Sequence, residues 1–475
     1  MSPPNVLLIV LDSVRARNTS LHGYHRETTP VLDRFAEGAT WYTQARAPGV
    51  HSITSHVSLF TGYAVAQHQA TDHGVSLESG HTIWETLAEQ YGYETGLFTP
   101  NSIVCESSNL ADFFDYSVGP KRRIEAFPEA ISPQDISGDP SYVEYVAECL
   151  RDDRPLRSIW NGLARLTESG SLAHAPSKEH GGIYADELLE WVDDRTGPWA
   201  ACLNLMDAHY PYVPADEYDR WGGRKLRAIR DDVPDGPLVN AGFFEDRPWW
   251  QLAVLETMYD GCIRQADAHV GELLTGLRER GAFDDTLVVV TADHGEGFGE
   301  PSVVSPSARL VDHNWGIDDV ITHVPLVVKQ PNQRKGETIT DPVSLAAFPS
   351  VVERTLEGES VPSFVSDEPV LTTCYRLEKP DESLSIPRAE QEPYLGPWHA
   401  RYRPVEHGVE TDVHHRGTEM TVHSPDPRSS YKRSRDPPGD SIESTIDALE
   451  RVNVVAGERD LSDDVETRLE ELGYR

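Results

Sequence analysis

Basic residues are in short supply: 42 Lys plus Arg stand against 78 Asp plus Glu in 475 residues, a formal net charge of −36. A polyanionic partner needs a basic stripe, and none is present, so nucleic acid is not an expected ligand. Cysteine is also sparse. Cys105, Cys149, Cys202, Cys262 and Cys374 are scattered, odd in number and without a Cys-x-x-Cys pair. That pattern speaks against a disulfide scaffold and for reduced thiols in a cytoplasmic protein. Long hydrophobic runs are missing too. The apolar run at 5–11 is too short for a bilayer and lacks the basic flank and cleavage site of a signal peptide. No integral membrane segment is therefore expected. Acid spread along the whole chain, with Lys scarce relative to Arg, suits high salt, as in halophilic archaea, where screening offsets self-repulsion.

What the chain does have is alternation. Apolar, β-branched runs at 5–11, 94–99, 198–206, 286–292, 324–329 and 369–375 read as strands. Amphipathic stretches from Thr82 to Gln90, Ile183 to Asp194, Trp249 to Arg278 and Leu345 to Thr355 read as helices. Such alternation predicts an α/β fold, a large, mainly parallel sheet flanked by helices, with a smaller C-terminal subdomain. The expected division is a catalytic domain over 1–360, carrying a variable insertion at 105–181, and a subdomain over 361–475. Residues 376–440 have weak periodicity and are expected to form a small terminal sheet or a loop at the site rim.

Two of the strands end in chemistry. The run Val288-Val289-Val290-Thr291-Ala292 leads into Asp293-His294-Gly295-Glu296, and the run at 5–11 ends in Asp12. Open α/β sheets bind ligands at the carboxyl ends of their strands. Either acid alone could simply cap a turn. Together, two carboxylates and an imidazole make a donor set for a divalent metal ion. A third feature lies in Pro48-Gly49-Val50-His51-Ser52. Gly49 breaks any preceding element, and apolar spacing from Ile53 to Phe60 fits a short helix stopped by Gly62. Ser52 then falls at the helix N-terminus, where unpaired amides favour an anionic oxygen. The ordinary role of serine there is an N-cap.

On these residues the chain resembles the sulfatases, a branch of the alkaline phosphatase superfamily. The family's core motif reads Cys or Ser, any residue, Pro, Ser, Arg, any residue, Ser-Leu-Leu-Thr-Gly. Aligned on Ser58-Leu59-Phe60-Thr61-Gly62, it puts Ser52 in the nucleophile column, Thr54 in the Pro column and His56 in the Arg column. Similar blocks follow in family order: Gly23-Tyr24 with Thr28-Thr29-Pro30, Asp207-Ala208-His209-Tyr210-Pro211-Tyr212, Tyr259-Asp260, and His313 ahead of Val324-Pro325-Leu326. The tail at 464–474 also looks like the end of many sulfatase-like chains.

The resemblance implies an alkaline phosphatase-like fold and a metal-dependent hydrolase that cleaves a sulfuric ester of a glycan or small molecule. One divalent ion, for which calcium, magnesium, manganese and zinc all remain open, would be bound by Asp12, Asp293 and His294 and touch Ser52, the nucleophile. Arg15, His56, His209 and His313 are the candidates for holding the ester oxygens and protonating the leaving group. The departures also matter. Conversion to formylglycine requires Pro or Ala and then Arg after the nucleophile, so Thr54 and His56 imply an unmodified Ser52. Asp293-His294 replaces the Asp-Asn of calcium-dependent sulfatases, and the usual site lysines have no obvious counterpart. Two further readings stay open: a phosphomonoester or phosphodiester hydrolase or phosphotransferase of the same superfamily, and a non-catalytic relative that binds metal or an anionic glycan. The oligomeric state is not indicated.

Overall fold

A computed structural model describes residues 3–120, 142–151, 154–155, 157–159, 181–234, 236–359, 362–434 and 441–459. The tail at 464–474 lies outside them. The chain divides into two compact units, Met1–Gly119 with His180–Arg475, and Pro120–Glu179. Of the second unit, the described part includes a helix over Tyr142–Cys149.

An eight-stranded sheet organises the first unit. Its three central strands are Thr286–Thr291, Asn5–Leu11 and Trp199–Leu205, all buried along their length apart from the partly exposed Asn5. Strands covered on both faces read as continuous apolar runs, which is why the sequence revealed them. Asn5–Leu11 pairs in parallel with both neighbours, Leu8 facing Cys202 on one side and Val289 on the other. Glu94–Phe98 and Tyr116–Val118 extend the sheet in parallel beyond Trp199–Leu205.

The other half keeps the sheet mainly parallel, as expected, but contains one reversed strand. Leu326–Lys329 pairs antiparallel with Thr286–Thr291 and with Thr40–Tyr42, and Glu337–Ile339 closes that edge. The sheet is mixed. Buried apolar runs look the same in either direction, so the sequence carried no sign of the reversal. Residues 105–118 belong to the first unit and supply an edge strand of the main sheet. The run at 369–375 forms Val370–Cys374, the first strand of a separate five-stranded antiparallel sheet that continues to Ser434, the smaller C-terminal subdomain that was expected.

Helices flank the main sheet in two packed groups: Pro30–Ala36 and Gly181–Asp193 on the long Trp250–Glu279, and Ser52–Thr61 with Ile83–Tyr91 and Phe348–Leu356. The small sheet is tied to the body close to the expected nucleophile. Thr373 N donates to Pro48 O at 3.0 Å, and Thr372 Oγ1 donates to Ala47 O at 2.5 Å. Among the described residues, no helix is long and apolar enough to cross a membrane.

Leu8 is fully buried at the middle of the central strand. Truncating it deletes packing that the crowded neighbours cannot refill. Leu8→Ala is expected to lower unfolding stability by about 2–5 kcal/mol, read from the denaturant midpoint.

Candidate active site

Parallel register decides where the acids go. Val10 faces Thr291 and Leu11 faces Leu205, and Asp12 N then donates to Leu205 O at 2.9 Å. Asp12 and Asp293 therefore leave adjacent strands at the same level. Ser13 clamps them together, its N donating to Asp293 Oδ1 at 3.2 Å and its Oγ to Asp12 Oδ1 at 3.1 Å. It does so in the left-handed region, with φ 63°, a conformation that costs a non-glycine residue on the order of 1 kcal/mol or more. Tyr259 holds it there by donating its hydroxyl to Ser13 O at 2.7 Å.

His294 completes the group. One ligand atom from each of Asp12, Asp293 and His294 lies within 4.8 Å of the others, and all three residues are fully buried. His294 Nδ1 donates to Gly295 O at 2.9 Å, which leaves Nε2 facing Asp293 Oδ2 at 3.4 Å and Asp12 Oδ1 at 4.0 Å. Asp293 Oδ2 is buried and has no hydrogen-bond partner among the described residues. Burial and the Asp12 charge push Asp293 above the usual carboxylate range. At Asp12 burial acts in the same direction but is outweighed by His209, His294, His56 and the Asn101 amide, which hold it below. At His294 burial opposes protonation, yet Asp293 and Asp12 raise its pKa. A pocket that draws positive charge and aims an orphaned carboxylate oxygen inward fits a divalent cation.

The helix Ser52–Thr61 starts at Ser52 with His51 as its N-cap and stops at Gly62, φ 80°. Its first turn is crowded: a Cβ on Gly49 would fall 2.0 Å from Thr54 Oγ1. Thr54 Oγ1 donates to His51 O at 2.9 Å and so serves the turn. Ser52 Oγ instead lies 3.4 Å from His294 Nε2 and accepts from Asn101 Nδ2 at 3.3 Å. The same amide donates to Asp12 Oδ2 at 2.9 Å. Sequence reasoning missed Asn101, and also Asn204, whose Nδ2 approaches Asp12 Oδ2 and His56 Nε2, each at 3.4 Å. Both carried a signal: Asn101 follows a strand end, and Asn204 interrupts an apolar strand where an amide needs a purpose.

The remaining candidates separate. His313 stacks on His294 with ring centroids 4.3 Å apart, and His209 lies edge-on to His313 at 5.5 Å. Burial, His294, His209 and Arg376 hold His313 well below the usual imidazole range. His56 reaches the site from the helix, with Nδ1 2.8 Å from Ser52 O and 3.7 Å from Asp293 Oδ2. Both of its ring nitrogens face groups of this chain, so it positions Ser52 and Asp293. Arg15 is a correction. Its fully buried guanidinium is spent on Glu256 at 2.5 Å, Glu300 at 2.6 Å, Asn18 and Glu296 O, and does not reach the donor set. A strand-end arginine reads the same whether it meets substrate or internal acids.

This architecture is alkaline phosphatase-like. The chain is similar to the phosphonate monoester hydrolase of Agrobacterium radiobacter, with TM-score 0.59 and 17% identity over 88% of this chain and 89% of that one. A second solved structure, in complex with its substrate D-glucosamine-2-N,6-O-disulfate, aligns with TM-score 0.55 and 14% identity over 91% of both chains. In sequence the chain is 24% identical to the multifunctional alkaline phosphatase superfamily protein PehA of Trinickia caryophylli over 70% of each protein. It is 21% identical to arylsulfatase K of Danio rerio over 74% of this chain and 64% of that protein. The chain spans roughly two thirds of the length of these curated relatives. The family described as Sulfatase matches residues 4–355, and the chain belongs to the sulfatase family.

Two expectations follow from the packing around the site. Arg15→Ala should destabilise the fold by about 3 kcal/mol, because it strands acids in a buried network. At Glu256 burial opposes ionisation, but Arg15 and Asn18 outweigh it and hold the pKa below 4.5. The stability this acid contributes is thus present at neutral pH and lost as pH falls through that lowered value. Denaturant midpoints across the acid range should show Arg15→Ala to be less acid-sensitive than the parent. Separately, a Cβ on Gly295 would fall 2.1 Å from Val320 O. Gly295→Ala is expected to shift His294, costing about 1–3 kcal/mol and weakening metal retention measured by elemental analysis.

Proposed function

We propose that the chain is a metal-dependent hydrolase in which Ser52 attacks the sulfur of a sulfuric ester. The observation that carries this reading is the approach of Ser52 Oγ to a buried Asp12–Asp293–His294 donor set at the start of a helix. A divalent ion bound by those residues would supply Lewis-acid polarisation of the ester and a lowered pKa for the Ser52 hydroxyl. The chain's own groups do the rest. Asn101 fixes Oγ through its amide, and His56 fixes the backbone carbonyl of the same residue. The first amides of the helix face charge that grows on the equatorial oxygens. As the Ser52 O–S bond forms and the Oγ proton passes to solvent, the S–O bond to the alcohol breaks, and the departing oxygen takes a proton by way of His209. Water then attacks sulfur, releasing sulfate and regenerating the serine.

A phosphate or phosphonate ester is the second reading. It is favoured by the imidazole in the donor set and by the absence of a guanidinium from Arg15 or position 56 next to Ser52. The deciding experiment assays 4-nitrophenyl sulfate, 4-nitrophenyl phosphate and bis(4-nitrophenyl) phosphate side by side in high salt, after chelation and reloading with magnesium, calcium, manganese or zinc. Sulfate ester turnover above both phosphates is expected. Ser52→Ala should lower kcat by about 10³-fold or more with the fold intact by circular dichroism. An undiminished rate in that variant overturns Ser52 as nucleophile. Asp293→Asn should lose bound metal, and the mass of the Ser52 peptide should be that of serine.

A further inference from the structure

His51 stands directly ahead of Ser52 as the N-cap of its helix, in extended backbone with φ −147° and ψ 165°, and its side chain makes no capping hydrogen bond. Thr54 Oγ1 ties the helix start instead, by donating to the His51 carbonyl. The imidazole is 2% exposed, and its Nδ1 is buried with no hydrogen-bond partner among the described residues. A polar atom left in that state weakens a fold unless a ligand supplies the missing partner.

The ring borders the reaction centre. It meets His73 edge-on, with centroids 5.1 Å apart. Burial, His73, Arg376, His313 and His294 together hold it well below the usual imidazole range, so it is neutral. His294 is the same residue whose Nε2 lies 3.4 Å from Ser52 Oγ. A neutral imidazole has one N–H, and an oxyanion, which offers only acceptors, selects the tautomer that carries it on Nδ1.

Side-chain donors for an ester at Ser52 are otherwise scarce. Arg15 is spent on Glu256 and Glu300, and both ring nitrogens of His56 meet Ser52 O and Asn204. The Asn101 amide is divided between Asp12 and Ser52 Oγ. His51 Nδ1 is next to the nucleophilic residue and has no such prior engagement.

We propose that His51 is a catalytic residue that donates its Nδ1–H to a non-bridging oxygen of the ester. A fixed neutral dipole there stabilises charge that grows on that oxygen in the transition state. The assignment rests on the ester being attacked at Ser52.

The test compares the parent, loaded with its most active metal, with His51→Leu, which has no donor, and His51→Asn, whose amide reaches the level of Nδ1. The ester is 4-nitrophenyl sulfate, or 4-nitrophenyl phosphate if the parent turns that over faster. His51→Leu should lower kcat about 100-fold with metal content unchanged by elemental analysis. Its denaturant midpoint should equal or exceed the parent's, because a partnerless buried nitrogen has been removed. His51→Asn should recover part of the rate. A parent-like kcat in His51→Leu, a loss that tracks lost metal or a lowered midpoint, or His51→Asn as slow as His51→Leu overturns the proposal. Calorimetric binding of inorganic sulfate (inorganic phosphate for a phosphate ester) to Ser52→Ala, with and without His51→Leu, separates the two readings. Binding weakened about 10-fold by His51→Leu upholds the donor even if Ser52→Ala still turns over. Binding indifferent to His51 overturns it even if Ser52 is confirmed as nucleophile.

Discussion

Two desolvated carboxylates held side by side are the constraint on which this structure turns. Asp12 and Asp293 are delivered to the same level by the parallel register of adjacent central strands, and neither can escape to water. Like charges in such a setting oppose ionisation of one another. The surroundings answer with a strained Ser13, two asparagine amides, the His56 and His294 imidazoles, and a tyrosine behind the turn. Such an outlay in polar groups stabilises the fold poorly by comparison with an apolar core of the same volume. It makes sense as preorganisation for a cation and for the serine beside it.

The small antiparallel sheet belongs to this arrangement more closely than its position in the chain suggests. Strand Val370–Cys374 braces Ala47 and Pro48, just ahead of the tight turn at Gly49 that launches the Ser52 helix. Arg46, one residue earlier, is fully buried, paired with Asp319 at 2.5 Å and lying over the ring of Tyr402 from the same sheet. Ser430 donates to the other oxygen of Asp319. Placement of Ser52 thus depends on contacts more than 300 residues away in sequence.

Legibility varied with how local the cause was. The runs at 5–11, 198–206 and 286–292 and the amphipathic helices were readable because burial on both faces or along one stripe writes itself into consecutive residues. Short strands such as Thr40–Tyr42 and Tyr116–Val118 were not, since three residues hold too little pattern. The direction of Leu326–Lys329 left no trace either, because pairing partners are chosen by topology. At the site, Asp12, Ser52, Asp293 and His294 stood out by type and by position at element ends. Asn101 and Asn204 did not, as an amide becomes meaningful only once its neighbour is known.

By itself, the sequence determined an α/β chain of the sulfatase family, with acids at two strand ends, a serine at a helix start and a nucleophile motif lacking its Pro and Arg. Those features are local: periodicity, capping and residue order. Only the tertiary structure decided that Arg15 faces Glu256 and Glu300 instead of the donor set, that His56 works behind Ser52, and that His313 stacks on His294. These outcomes depend on which distant segments share a few ångströms of space. A charged side chain takes the partner that desolvation leaves it, and that partner is fixed by packing.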